Sequence, residues 1–199
     1  MSEVMKHAIL SILILASAVT ARGQWAVNFS NIGRTPVTNC LTGAPVVVGT
    51  TFLVALYFAS DGMTDETQLI PAGAPVGFGS IAGIFSGGAR TTTISSPGAF
   101  GMFQLRVWES SFGTSYEAAI NAAPDALLGR SALRGKSEIL RVETYDPTVF
   151  VNPAPEPPDF SPIVLIAPDA PCIPEPSIGV LLVLGAPVVG LIARRGPLS

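Results

Sequence analysis

The sequence holds one histidine, His7, two cysteines, Cys40 and Cys172, and charged residues at only 13%. Each scarcity removes a class of chemistry. His7 lies at the edge of the first apolar run, so a chain that loses that run carries no imidazole. Without imidazole, Ser-His-Asp and Cys-His nucleophiles have no base. Histidine-rich zinc and copper sites have no ligands. Phosphate-cradling motifs are missing too: no Walker-type loop occurs, and no Gly-x-Gly-x-x-Gly opens a helix. Between Gln24 and Pro176, seven Lys/Arg stand against thirteen Asp/Glu, a net of −6. That balance argues against nucleic acid as a partner.

Hydrophobicity, by contrast, is plentiful at 48%, and it gathers at the two ends. Lys6 and His7 precede an uncharged run from Ala8 to Val19, too short for a membrane span and right for the core of a secretory signal. Val19-Thr20-Ala21 and Ala21-Arg22-Gly23 place small residues where a signal peptidase needs them. Residues 1–23 therefore read as a signal peptide, giving an N-terminal signal helix and a mature start near Gln24.

The other end has three parts in order: Pro174-Glu175-Pro176, an uncharged run from Ile178 to Ala193, then Arg194 and Arg195. As a helix, 178–193 spans roughly 24 Å. A bilayer core is about 30 Å thick. Snorkelling by the two arginines and local thinning cover the shortfall. Pro187 and three glycines weaken insertion, so the span is a marginal transmembrane helix. The arginines keep their end cytoplasmic and put the body on the far side.

This tail resembles the PEP-CTERM sorting signal of Gram-negative bacteria, with Pro174, Glu175 and Pro176 as the motif, 178–193 as the helix, and Arg194 with Arg195 as the basic cluster. The resemblance covers residues 174–199 only. It implies an exosortase as processing partner, a transient inner-membrane anchor for the precursor, and delivery to the cell surface or extracellular matrix, often alongside exopolysaccharide. Pro155-Glu156-Pro157 is a decoy, because no apolar run of sufficient length follows it. A second resemblance lies in Trp108-Glu109, Gly113-Thr114-Ser115-Tyr116-Glu117-Ala118-Ala119 and, downstream, Gly129-Arg130-Ser131. It is similar to a stretch recurring in β-rich bacterial surface proteins with this same tail, and it implies no activity. On the residues themselves, Trp108, Tyr116 and Glu117 read as a strand-to-helix corner with packed aromatics.

The body is written in short β-type runs. Residues 25–29, 51–59, 100–108 and 139–145 are the clearest; 46–48, 81–85, 91–94, 149–151 and 163–166 are shorter candidates. Turn signals separate them at 42–45, 71–75, Ser86-Gly87-Gly88 and Ser96-Pro97-Gly98. This pattern predicts a mainly β fold, an antiparallel β-sandwich of jelly-roll type. One helix is expected over 115–123, capped by Thr114 or Ser115 and stopped by Pro124. The body is expected over 24–151. A proline-rich stalk follows over 152–173, with 163–166 as a candidate last strand.

Few groups remain for binding or catalysis. In an exported chain Cys40 and Cys172 suggest one disulfide; two separate thiols are the alternative. Asp61, Asp65 and Glu66 share a Gly-containing loop; its oxygens are a weak calcium candidate, but the spacing is not that of an EF-hand and the default reading is a solvated hairpin tip. Glu109 and Glu117 would serve a glycosidase only if the fold brings them together, which their spacing in sequence does not show. Four of the seven basics fall in 130–141, a solvated loop or a contact for anionic polysaccharide. No cofactor is expected. The reading is a non-enzymatic, exported β protein; the alternatives are a carbohydrate-binding module or carboxylate-based glycan-active enzyme, and a permanent single-pass membrane protein.

Overall fold

The computed structural model describes residues 25–92, 98–146, 156 and 158–172. The signal peptide, the tail from 174 and the candidate strand at 149–151 lie outside the described residues.

Two long strands form the axis of the fold, β4 (Gly49–Ser60) and β8 (Phe100–Glu109). They pair antiparallel without a register break from Phe52↔Glu109 to Ser60↔Gly101. Their side chains alternate with period two, so one ladder presents two faces. Phe52, Val54, Leu56 and Phe58 join Phe103, Leu105 and Val107 on one face. Ala55, Tyr57 and Ala59 join Met102 and Trp108 on the other. Both faces are buried, which explains why both alternating sets are so apolar. Each fully buried Phe or Leu contributes about 1.5–3 kcal/mol.

Shorter strands extend the ladder. β5 (Ile70–Pro71) and β6 (Val76–Phe78) pair with β4. β9 (Arg134–Lys136) and β10 (Leu140–Glu143) pair with β8. All these pairs are antiparallel. The first face is covered by two further sheets. One is the hairpin-like pair of β1 (Trp25–Ser30) and β7 (Ser86–Thr92), whose Phe29 packs on Phe85 at 5.1 Å between ring centroids. The other contains β2 (Thr38–Asn39), β3 (Ala44–Pro45) and β11 (Val164–Leu165). The second face is covered by the described chain's one α-helix, α1 (Tyr116–Asn121), through Tyr116 and Ala119. Ser115 caps α1 by accepting a hydrogen bond from the Ala118 amide, and Glu117 complements the dipole in its first turn. Thus the fold is mainly β, with antiparallel sheets and one short helix.

Four expectations need correction. Ser86-Gly87-Gly88 is not a turn but the start of β7. Gly87 sits where a Cβ would fall 2.1 Å from Phe29 Cδ1, so its bare backbone is what lets Phe29 enter the core. Residues 81–85 and 46–48 are loops rather than strands; Val46 and Phe85 are buried singly from them. β11 and β2 run parallel, against the antiparallel rule elsewhere. Finally, 158–172 is no stalk. Phe160, Ile163, Leu165 and Ala167 are buried in the main core. Proline forbids helix but tolerates extended chain, and 163, 165 and 167 alternate inward as a strand should. The body therefore runs through Cys172.

Candidate functional site

Arg106 lies at the centre of the second face, with its side chain 9% exposed. It projects there because it shares parity with Gln104 and Trp108 on β8, opposite Ala55. Its guanidinium stacks on Tyr57 at 4.1 Å and approaches Tyr116 at 5.5 Å from the ring centroids. Every edge of it is used. Nε donates to Gln104 Oε1 at 2.9 Å, Nη1 to Glu117 Oε1 at 2.8 Å, and Nη2 to the Glu66 carbonyl at 2.7 Å. The Tyr57 hydroxyl donates to the other Glu117 oxygen at 2.9 Å. Gln104 Nε2 donates to Glu66 Oε1 at 3.1 Å and to the Ser137 carbonyl at 3.0 Å. Lys136 Nζ pairs with Glu66 Oε2.

These groups rim a groove of ≈ 470 Å³ whose apolar part comes from Leu69, Pro71 and Ile120. A neighbouring depression of ≈ 430 Å³ shares Tyr116, Ile120 and Lys136 with it. Electrostatics set the state of each group. The Lys136 hydrogen bond, foremost, holds the Glu66 carboxyl below its ordinary range despite partial burial. Burial, then the hydrogen bond to Glu117, pushes the Tyr57 hydroxyl far above its ordinary range. Burial also raises Tyr116. Near neutrality Glu66 is thus an anion and both tyrosines are neutral. Tyr57 and Tyr116 are buried, so neither offers an open ring face. Mechanically the network is a latch. It ties α1 and the loop around Glu66 to the sheet through one cation.

The carboxylates singled out in the sequence separate in space. Asp61 pairs with Arg141 through two hydrogen bonds of 2.7 and 2.8 Å. Asp65 caps the short turn Glu66–Gln68, accepting from the Thr67 amide and hydroxyl. Glu66 is held in the groove. The three do not converge on a calcium site, and no group of three metal-ligating side chains gathers among the described residues. Glu109 and Glu117 do not share a cleft. Glu109 follows the face of Leu105 and Val107 and binds Arg130 at 2.7 and 3.2 Å. Glu117 serves the opposite face. Glu156 of the decoy motif pairs with Arg34 at 3.3 Å. Of the cluster at 130–141, Arg130 and Arg141 are each spent on a carboxylate, as is Lys136. Arg134 Nη1 donates to the Ile120 carbonyl.

Cys40 and Cys172 do meet, as a disulfide with Cα atoms 4.9 Å apart across a sequence separation of 132. The aromatic corner also forms: Trp108 and Tyr116 lie 6.4 Å apart edge to face, and Trp108 Nε1 donates to the Gly113 carbonyl at 2.9 Å. Arg106 itself went unread in the sequence. The signal for it was there, a charge at a core-facing position of an otherwise alternating apolar strand. Pro174, Glu175, Pro176, Arg194 and Arg195 lie outside the described residues. Among the described residues no helix is long and apolar enough to cross a membrane. No protein-family model, curated protein or solved structure matches the chain.

Proposed function

We propose that the protein is an exported, non-enzymatic β protein, displayed at the cell surface or in the extracellular matrix after transient anchoring in the inner membrane. The observation that carries this reading is the order of the tail: Pro174-Glu175-Pro176, the uncharged run 178–193, then Arg194 and Arg195. The basic, apolar and small-residue order of residues 6–23 supports export from the other end. The Cys40–Cys172 disulfide supports it independently, since such bonds persist in oxidising compartments and are rare in the cytosol. For the body, an axis sheet covered on one face by β1–β7 and β11–β2–β3 supports a sandwich of jelly-roll type. The processing partner on this reading is an exosortase acting near Glu175.

The test is to compare the intact chain with Glu175→Ala and with a chain lacking 174–199 in the native host, following mass and location. The wild type is expected to lose its C-terminus and leave the inner membrane. Glu175→Ala is expected to stay full-length and membrane-bound. A wild type that keeps its C-terminus, with a variant that behaves identically, would sink the sorting reading and leave a permanent single-pass anchor.

A further inference from the structure

The second face of the axis sheet continues past Arg106 to β9, which carries Arg134 and Lys136. Beyond β9 lies the chain of β11. There Arg134 and Ile166 exchange both backbone hydrogen bonds, at 3.0 and 2.9 Å. Directly paired residues point to one face, and residues two apart repeat it. Arg134, Lys136, Val164 and Ile166 therefore share a face. It is the face of Trp108 and Arg106, which pair with Arg134 and Lys136 across β8. With Ile120 and Tyr116 of α1, these four enclose the depression of ≈ 430 Å³ beside the groove.

The walls of this depression are aliphatic and open to solvent: Ile120 is 41% exposed, Val164 45% and Ile166 48%. Exposed aliphatics scattered singly are ordinary, but a contiguous set marks a binding surface. Its cation is also unusual. Among the described residues, no carboxylate pairs with Arg134. Its Nη1 donates to the Ile120 carbonyl at 3.2 Å and so closes the C-terminal end of α1. That bond leaves the Nε and Nη2 edge without an acceptor among the described residues. This is the edge that grips a carboxylate by two parallel bonds.

Tyr116 supplies the third element. It is only 7% exposed, with its ring set edge to face against Trp108, yet it lines both the depression and the groove. A buried tyrosine turns its apolar body inward and its polar tip out, so the tip is what reaches the hollow. The hydroxyl makes no hydrogen bond among the described residues. Burial raises it, and Lys136 and Arg134 only partly draw it back, so it remains a neutral donor near pH 7.

The chemistry of an occupant follows from these groups. Lys136 is already neutralised by Glu66, so Arg134 alone calls for a counter-charge. One free cation suits a monoanion better than a phosphate dianion, and a planar fork suits two oxygens in a plane. Aliphatic walls suit an aliphatic body; a hydroxyl-rich one would lose water there without gaining partners. The volume falls within the range of about 300–1,000 Å³ common to small-molecule sites.

We propose that this depression binds a small amphiphilic carboxylate. Its head lies on the Nε–Nη2 edge of Arg134 and the Tyr116 hydroxyl, and its aliphatic body lies against Ile120, Val164 and Ile166. The site is built wholly from the described body and does not depend on the tail.

Isothermal titration of sodium octanoate into the full chain tests this, with the chain held in phosphatidylcholine nanodiscs and the heat of empty discs subtracted. Saturable one-to-one binding is expected. Octanol has the tail without the charge, and acetate the head without the tail; each should bind at least tenfold more weakly. Tyr116→Phe removes only an oxygen that has no partner within the described chain. It should weaken octanoate roughly tenfold while leaving the urea midpoint unchanged. Arg134→Gln keeps a donor for the Ile120 carbonyl and should weaken octanoate by more than tenfold. If it also lowers the midpoint, Tyr116→Phe decides. Absence of saturable binding, octanol binding as tightly as octanoate, or undiminished affinity in Tyr116→Phe would overturn the proposal.

Discussion

Glu109 and Arg130 are the most deeply buried ion pair described, with side chains 9% and 13% exposed. Such a pair contributes little net stability while intact, because desolvation offsets attraction, but leaving one charge alone costs about 3–5 kcal/mol. Arg130→Ala is therefore expected to lower the unfolding free energy by that amount, read as a clear drop in the urea midpoint at unchanged slope. The double change Glu109→Leu with Arg130→Leu should recover most of the loss. Asp61 and Arg141 form the contrast. They are exposed, and Asp61→Asn should leave the midpoint unchanged. A null result for Arg130→Ala would mean that water reaches Glu109. The titrating groups also fix the pH profile. Lys136 holds Glu66 below its ordinary range, and the Ser131 amide does the same for Asp169. A lowered carboxyl stabilises the fold above its unfolded value, about 4, and loses that contribution as pH falls through the folded value. Tyr57 is raised, so its contribution is complete below about pH 10 and is lost as pH rises beyond it. Unfolding midpoints should be level from about pH 5 to 9 and fall on both sides. Glu66→Gln should flatten the acid limb and Tyr57→Phe the alkaline one; unchanged limbs would contradict these assignments.

At the scale of elements, the long strands and β1, β10 and β11 were legible, and the remaining short ones were not. β4 and β8 carry enough alternation to declare themselves, and α1 was readable from Ser115 and Pro124. β2, β3, β5 and β9 have two or three residues each, too few to show a period. β5 and β9 exist because a neighbouring long strand offers unpaired backbone, and β2 and β3 because they pair with each other and with β11. β7 was hidden by Gly87 and Gly88, whose turn signal was outweighed by the space Phe29 needs. β11 falls within the expected strand 163–166, but its stalk setting was misread. Prolines around it suggested a solvated spacer, yet Ile163, Leu165 and Ala167 insert into the core. The parallel β11–β2 pair is not a local product at all. It brings residues far apart in sequence together, and only Cys40 and Cys172 hinted at it. For the site, the same limit applied: Glu117 was visible as a residue, but its bonds to Arg106 and Tyr57 join three elements and depend on their packing.

At the scale of the whole molecule, the fold has an axis sheet, two covered faces and two dissimilar edges. Closure of the core also waits for the end of the described chain. Phe160, Ile163 and Leu165 complete it only after everything before them has been made. Contacts so distant in sequence are slow to form; on the export reading, that leaves the chain open for translocation unfolded.

The disulfide has one more consequence, for reach. Cys172 is bound to the body, and Ile173 alone separates it from Pro174. An extended residue spans about 3.5 Å. On the sorting reading, a membrane-embedded enzyme at Glu175 would meet the folded body almost at once. The bond then acts as a short leash that sets how close the scissile segment comes to the bilayer. Opening it would free only Pro171 and Cys172 as added slack, because core burial, the β11–β2 pair and the Ser131–Asp169 hydrogen bonds still hold 160–170. Cys172→Ser precursor should therefore be trimmed faster than wild type in a pulse-chase, and equal rates would show that the leash is not limiting.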